Sequence, residues 1–215
     1  MENNRNRINP ADKDFYILYT DGEVDFSKAP KAQIAIYPWG VEYTPKAFGQ
    51  IIFKKDDGFY LRLESFEKDP HSRLTEKNDS VCTDSCMEFF ASYDPENPNK
   101  YINVEMNSLG NYLCQCCDWI GERNIREKNF DFSPISPEVS AFRTKESWGV
   151  YLRVPLGMIY DVYGDLRIDK GSYILLNLYK CGNYKQIDHY GCWGNVTTSY
   201  PNYHMPPCFY AVEIK

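Results

Sequence analysis

Apolar and polar side chains alternate along much of the chain, and the alternation predicts short β-strands. It is clearest in residues 101–107, where every second side chain is apolar. A strand with this period of two buries one face and leaves the other polar. The polar face comprises Tyr101, Asn103, Glu105 and Asn107. Amides and a carboxylate in a row, without the Lys and Thr of an ordinary solvent face, predict a functional surface.

Residues 84–91 have the same pattern and predict the other arm of a hairpin, because 93–100 is rich in turn-forming residues. Pairing the two apolar faces places Phe89 opposite Val104, and a slip by one residue would put Glu105 in the core.

The same register sets Glu88 opposite Glu105, and a shift by two residues would instead set it opposite Asn103 or Asn107. In each case Glu88 belongs to the polar patch. Two facing carboxylates repel each other, so they require a proton, a cation or a basic side chain between them. Arg62 or Arg153 could supply the basic group.

The remaining chain predicts about a dozen short strands in total, with frequent turns and little helix. Further strands are expected at 14–20, 32–37, 48–54, 58–66, 112–119, 139–144, 148–154, 171–180 and 209–214. One helical turn is expected at 155–160, and long loops at 67–80, 120–138 and 181–207. This pattern predicts an all-β, antiparallel two-sheet sandwich. We expect one domain at 14–215, preceded by a flexible N-terminus at 1–13.

The net charge and the hydropathy of the chain exclude some classes of binding partner. Lys and Arg number 24 against 30 Asp and Glu, which gives a net charge of −6 and argues against nucleic acid or an anionic membrane. No apolar run approaches the length of a membrane span, and the first residues do not resemble a secretory signal. A cytoplasmic protein is therefore expected. The oligomeric state stays open.

Eight cysteines are many for such a protein, and none is spaced as in a C-x₂-C zinc motif. Buried, reduced thiols are the expected state. A zinc site and disulfides remain as alternatives. Cys82 and Cys86 would share one strand face.

Several blocks resemble the family 9 carbohydrate-binding modules, in particular the family 9-like branch. They include Asp84-Ser85-Cys86-Met87-Glu88-Phe89-Phe90, Tyr101-Ile102-Asn103-Val104-Glu105 and Tyr190-Gly191-Cys192-Trp193. Others fall at 148–150, 154–156, 176–182 and 200–206, in family order along nearly the whole chain.

The resemblance implies an immunoglobulin-like or jelly-roll-like sandwich of the DOMON superfamily. It also implies sugar binding between two clamping tryptophans, and structural calcium. Glu88 matches the family's ligand-bonding carboxylate and Trp193 its C-terminal clamp. The other clamp tryptophan is expected shortly before Glu88, where this chain has Val81-Cys82. Calcium candidates are the loops with Asp56-Asp57 and with Asp94 and Glu96.

These observations predict non-catalytic binding of a mono- or oligosaccharide, or of a polysaccharide chain end, through hydrogen bonds and aromatic stacking. The candidate ligand-binding residues are Glu88, Asn103, Glu105, Asn107, Trp193, Tyr179 and Arg153, with Tyr190 or Trp39 as further aromatic candidates. The alternative is a structural or interaction domain with a degenerate sugar site. A glycosidase with two carboxylates and a haem site at His204-Met205 remain less favoured hypotheses.

Overall fold

The computed structural model describes residues 4–121, 123–126, 135–164, 166–184 and 187–215. The strands are β1 (Leu18–Thr20), β2 (Ala32–Ile34), β3 (Ala47–Lys54), β4 (Gly58–Ser65), β5 (Cys86–Ser92), β6 (Lys100–Asn107), β7 (Tyr112–Ile120), β8 (Arg123–Arg126), β9 (Glu138–Arg143), β10 (Trp148–Pro155), β11 (Tyr173–Gly182), β12 (His189–Cys192) and β13 (Tyr210–Glu213). The helix α1 spans Leu156–Tyr163.

Two sheets pack face to face. Over the described residues, the first sheet has the order β1-β3-β4-β10-β9, with β2 also on β3. The second has the order β12-β11-β5-β6-β7-β8, with β13 also on β11. The described strand pairs are antiparallel except β1 with β3. The predicted all-β, two-sheet sandwich is confirmed.

The main core lies between the sheets, where the apolar face of each alternating strand points inward. The β4 side chains Phe59, Leu61 and Leu63 are fully buried there. The sheets approach closely at Gly49, where a Cβ atom would lie 2.6 Å from Leu178 Cδ1. A larger residue at position 49 would therefore have to displace the Leu178 and Leu63 side chains.

The predicted hairpin register is correct. Phe89 pairs with Val104, and Glu88 pairs with Glu105. The apolar residues of β5 and β6 lie in the core between the sheets. The polar row, with Glu88, therefore lies on the outer face of the second sheet.

This outer face is itself covered, which the alternation did not predict. A second apolar cluster lies on it and includes Phe90, Tyr101, Tyr179, Tyr203 and Phe209. The loop after β12 supplies Tyr203 and Phe209, so it folds back across the sheet. As a result β5, β6 and β11 are buried on both faces.

The N-terminal segment also contacts the body of the protein. Arg7 O accepts a hydrogen bond from Ala211 N at 2.7 Å, and the buried Asn9 donates to Trp193 O at 3.0 Å. The described part of the predicted flexible N-terminus, from residue 4, is therefore anchored. Its polar side chains bond main-chain atoms, and a hydropathy pattern does not show such contacts.

Two strands lie in segments for which the sequence predicts loops, and the helix is longer than predicted. β8 lies within 120–138 and β12 within 181–207. Both strands have only four residues, so alternation over them is weak. The helix α1 runs for eight residues, past the predicted single turn at 155–160. Residue 122 and residues 127–134 of the predicted 120–138 loop lie outside the described residues.

Candidate functional site

A pocket of about 240 Å³ lies on the outer face of the second sheet, between the sheet and the loops that cover it. Its floor is formed by Glu88 and Phe90 of β5, Glu105 of β6 and Cys181 of β11. The alternation of the strands puts these side chains on one face, and the pairing of β5 with both neighbours puts them side by side.

One wall of the pocket is aromatic and comprises Tyr190, Tyr203 and His204. The Tyr203 ring stacks on the fully buried Tyr179, with centroids 3.9 Å apart and planes 9° apart. The Tyr203 hydroxyl donates to Gly191 O at 3.2 Å. These contacts fix the loop, so the wall is held in place before any ligand arrives.

His204 is held from two sides. Its Nδ1 lies 2.8 Å from the Tyr101 hydroxyl, and its ring centroid is 5.0 Å from that of Phe90. These contacts anchor the loop that carries His204 to the sheet. His204 also lines the pocket.

The rim carries smaller and more polar side chains, namely Ser80, Cys82, Asn183, Pro201 and Asn202. Cys82 stands in the 3-10 turn Val81–Thr83 just before β5. The resemblance implies a clamp tryptophan shortly before Glu88, in the region of Val81-Cys82, and the Cys82 side chain of this region lines the pocket.

The pKa of Glu88, on the floor of the pocket, is strongly raised. Burial raises its pKa well above the ordinary value, and the facing Glu105 raises it further. The Cys181 thiol donates to Glu88 Oε1 at 2.9 Å. A proton on Glu88 is therefore one way to relieve the repulsion between the paired carboxylates. It also makes Glu88 a hydrogen-bond donor as well as an acceptor.

Glu105 is oriented from within its own strand. Asn103 Nδ2 donates to Glu105 Oε1 at 3.0 Å, and the Cys117 thiol donates to Asn103 Oδ1 at 3.4 Å. Asn103 is fully buried. Asn103, one of the predicted ligand-binding residues, therefore does not line the pocket and instead bonds a carboxylate that does.

Comparison with known proteins places the chain in a family. Residues 19–214 match the family described as carbohydrate-binding family 9. The chain belongs to carbohydrate-binding family 9. This membership confirms the resemblance found in the sequence and assigns non-catalytic carbohydrate binding as the function class. No curated protein compared with the chain matches it in sequence.

Solved structures share the family 9 fold of this chain. A Bacteroides uniformis protein assigned to carbohydrate binding has 20% identity and a TM-score of 0.74, covering 88% of each chain. A family 9 module from Caldicellulosiruptor kristjanssonii, solved with glucose, has 12% identity and a TM-score of 0.64, covering 94% of this chain and 95% of that one. The same module with cellotriose has a TM-score of 0.63 at 12% identity and covers 94% and 93%.

Trp193 does not line the pocket of this family 9 chain, contrary to its predicted clamp role. It lies in the core between the sheets and is 2% exposed. Its ring packs edge-on against Phe15 at 5.3 Å, and its Nε1 donates to Asp12 Oδ2 at 2.9 Å. Trp193 follows the end of β12, and its side chain points to the core face there.

Arg153 was predicted as a ligand-binding residue, but it lies in the first sheet, away from the pocket. It lies on β10, where its guanidinium bonds the Asp57 and Glu138 carboxylates. Arg62, on β4, bonds Glu64 in the same sheet. Neither arginine lines the pocket. Sequence alternation gives the face of a strand but not its sheet, so it could not separate these arginines from Glu88.

Tyr179 lies beside Glu88 in the strand register, as the shared face requires. It does not line the pocket, because Tyr203 covers it. Asn107 lies further along the polar row, also outside the pocket lining, and its side chain makes four hydrogen bonds. They join Leu74 O, Asp84 Oδ2, Leu109 N and Asn111 N at 2.8–3.1 Å.

Replacing Asn107 with alanine is expected to lower the free energy of unfolding by about 1–3 kcal/mol, because the buried Asp84 would lose its Asn107 partner. Urea denaturation measures this change. Sugar affinity of the folded variant should stay within about threefold of wild type. Affinity lost without a loss of stability would restore Asn107 to the ligand-binding set.

The predicted calcium ligands are used in other ways. Asp57 binds Arg153 and accepts from Tyr60 at 2.8 Å, and Asp94 Oδ1 accepts from Glu96 N at 3.0 Å. Calcium binding therefore stays a prediction from the resemblance. Among the described residues, no helix is long and apolar enough to cross a membrane.

Sequence reasoning missed Cys181, Asn183, Asn202 and Tyr203 as pocket residues. Cys181 could have been found, because it shares the face of Tyr179 two positions earlier. The loop residues could not, since no periodicity predicts how a long loop folds back.

Proposed function

We propose that the pocket binds a single sugar residue or the terminal residue of a glycan chain, without catalysis. The observation that supports this most strongly is the placement of two carboxyl groups opposite an aromatic wall. Carboxyl groups bond adjacent hydroxyls, and an aromatic face packs on the C–H face of a sugar ring. Glu88 and Glu105 supply the first feature, and Tyr190, Tyr203 and His204 supply the second.

The size and closure of the pocket favour a small ligand. Its 240 Å³ is just below the roughly 300–1,000 Å³ of pockets for drug-sized ligands. The covering loop also closes one end of the face. One sugar ring fits such a space better than several linked rings lying along the sheet. The two Caldicellulosiruptor structures, with glucose and with cellotriose, are consistent with a sugar ligand.

The arrangement does not favour hydrolysis. Glu88 and Glu105 stand side by side on one floor, on directly paired strand positions. A glycosidase instead holds its two carboxyl groups on either side of the scissile bond, one as acid and one as nucleophile or base. We therefore propose a binding module, and expect aryl glycosides to be left intact.

One observation supports the second candidate, an interaction domain with a degenerate site. Cys82 occupies the position where the resemblance places a clamp tryptophan. Loss of that ring removes stacking area from one side of the ligand. The aromatic wall remains on the other side, so we favour sugar binding with a one-sided stack.

The test is calorimetric titration of mono- and oligosaccharides into the wild-type chain, with and without calcium, and into a Glu105→Gln variant. Glu105→Gln keeps the shape but removes the charge, so we expect affinity to fall about 10- to 100-fold, as for loss of hydrogen bonds to a charged group. The matched control is Glu138→Gln, which lies on the first sheet, distant from the pocket.

Binding that persists at wild-type strength in Glu105→Gln would exclude this pocket as the site. Absence of binding to every sugar in the wild-type chain would favour the interaction domain. Equal losses in Glu105→Gln and Glu138→Gln would indicate a general effect of charge.

A further inference from the structure

Two cysteines and a carboxylate meet beneath the pocket. Cys86 of β5 pairs directly with Cys181 of β11, and Glu88 is the next residue along β5 on the same face. The two Sγ atoms and a Glu88 carboxylate oxygen all lie within 4.8 Å of one another. All three side chains are buried, with 0–2% exposure.

This donor set suits a borderline-soft divalent cation. Thiolates with a carboxylate are typical ligands of zinc, whereas calcium and magnesium prefer oxygen alone. At Zn–S distances of about 2.3 Å, tetrahedral sulfur ligands are separated by about 3.8 Å. Cys86 and Cys181 could therefore close on an ion by small side-chain rotations.

We propose that Cys86, Glu88 and Cys181 bind a zinc-like divalent cation, with the fourth coordination position facing the pocket. Glu88 and Cys181 line the pocket, whereas Cys86 lies beneath it. An ion held by all three therefore sits at the floor, with its open side towards the pocket. Three protein ligands and an exchangeable fourth position are typical of zinc sites that keep a place for water or a ligand.

The strands make the site rigid. Cys86 and Glu88 are fixed on β5, and Cys181 on the neighbouring β11, so the ligand positions exist without any loop rearrangement. Cys181 is far from Cys86 and Glu88 in sequence, which is why motif spacing did not predict the three as a set. A cation here would also reduce the repulsion between the Glu88 and Glu105 carboxylates, as an alternative to a proton on Glu88.

The site does not depend on the proposed sugar binding, so it is tested without sugar. The full-length chain is reduced, treated with chelator and titrated with Co²⁺, followed by competition with Zn²⁺. We expect one equivalent to bind with a thiolate-to-cobalt absorption band that Zn²⁺ abolishes. Cys86→Ser and Cys181→Ser should each weaken binding at least tenfold, and Glu88→Gln likewise.

Cys208→Ser is the matched control, because Cys208 is a buried thiol of the same outer-face cluster outside the proposed ligand set. It should bind as wild type does. If the serine variants do not fold, zinc X-ray absorption on the wild-type chain decides the matter: we expect two sulfur neighbours near about 2.3 Å. An oxygen- and nitrogen-only shell, wild-type affinity in both serine variants, or no bound metal would overturn the proposal.

Discussion

Replacing Trp193 with alanine is expected to lower the free energy of unfolding by about 3–5 kcal/mol, the usual cost of removing a buried tryptophan. The ring fills the core between the sheets against Phe15 and Tyr210, and its Nε1 bonds Asp12. Because the ring does not line the pocket, the sugar affinity of the folded variant should stay within about threefold of wild type. Urea denaturation and calorimetry under native conditions measure the two effects.

Tyr190→Ala is the matched counterpart. Tyr190 lines the pocket and is only partly buried, so its removal should cost little stability and weaken sugar binding. The two variants separate stability from binding. A Trp193→Ala chain that keeps wild-type stability but loses sugar binding would place the ring in the pocket and contradict the structure.

The contrast between Glu88 and Trp193 shows what sequence patterns can predict. Glu88 sits in a long alternating hairpin, where a slip by one residue would bury a charge, so parity predicts both its face and its partner Glu105. Trp193 follows the strand β12, which has only four residues, so the alternation there is too short to predict which face a side chain lies on. The family resemblance supplied the position of Trp193 but not the side of the sheet to which it points.

Burial on both faces of the second sheet was the other feature beyond prediction. A polar row on a strand is usually solvated, and here Asn103 and Asn107 instead satisfy buried groups. The loop that covers them is held by the Tyr203 hydroxyl and the Tyr179 ring. These contacts join residues far apart in sequence, and no local pattern encodes them. The sequence predicts direct ligand contacts along the whole polar row. In the structure, Glu105 lines the pocket together with Glu88, and the two asparagines hold neighbouring groups in place.

Lys180, on the inner face of the second sheet, also has partners that no local sequence pattern predicts. Its side chain is fully buried, and its Nζ lies 3.2 Å from Glu67 Oε2 and beside His189 Nε2. Tyr184 and Trp148 also donate to Glu67, at 2.8 and 2.9 Å. Alternation along β11 puts Lys180 on the inner face, and a charge in that position is tolerated only because these partners surround it.

This buried cluster predicts a loss of stability in acid. Burial, and after it the neighbouring Lys180 ammonium, lower the pKa of His189 from the ordinary value of 6.5 to about 4. As pH falls below about 6.5, His189 takes up a proton in the unfolded chain but stays neutral in the folded chain. Stability is therefore lost progressively until about pH 4. The loss is about 3 kcal/mol, from about 1.4 kcal/mol per pKa unit.

Glu67 acts in the same direction. Burial alone would raise its pKa, but Lys180 and the Tyr184 and Trp148 hydrogen bonds lower it overall. A lowered carboxyl pKa gives stability that is present above its ordinary value of 4.5 and lost as pH falls through the folded value. Glu88 acts in the opposite direction, because its raised pKa gives stability that is lost as pH rises.

Because these groups have opposite effects, the free energy of unfolding of the wild-type chain at each pH is a sum of their contributions. The contribution of His189 is therefore measured as the difference in free energy of unfolding between wild type and a His189 variant. We expect the stability of wild type relative to His189→Gln to fall by about 3 kcal/mol between pH 7.5 and pH 4, measured by urea denaturation. His71→Gln is measured in parallel as the control for replacing a histidine, because its ring stacks on Tyr184 at 4.5 Å but lies outside the Lys180 cluster. A His189→Gln variant with the wild-type pH dependence would mean that folded His189 takes up its proton as readily as the unfolded chain, and the Lys180 ammonium would then not be the partner that keeps it neutral.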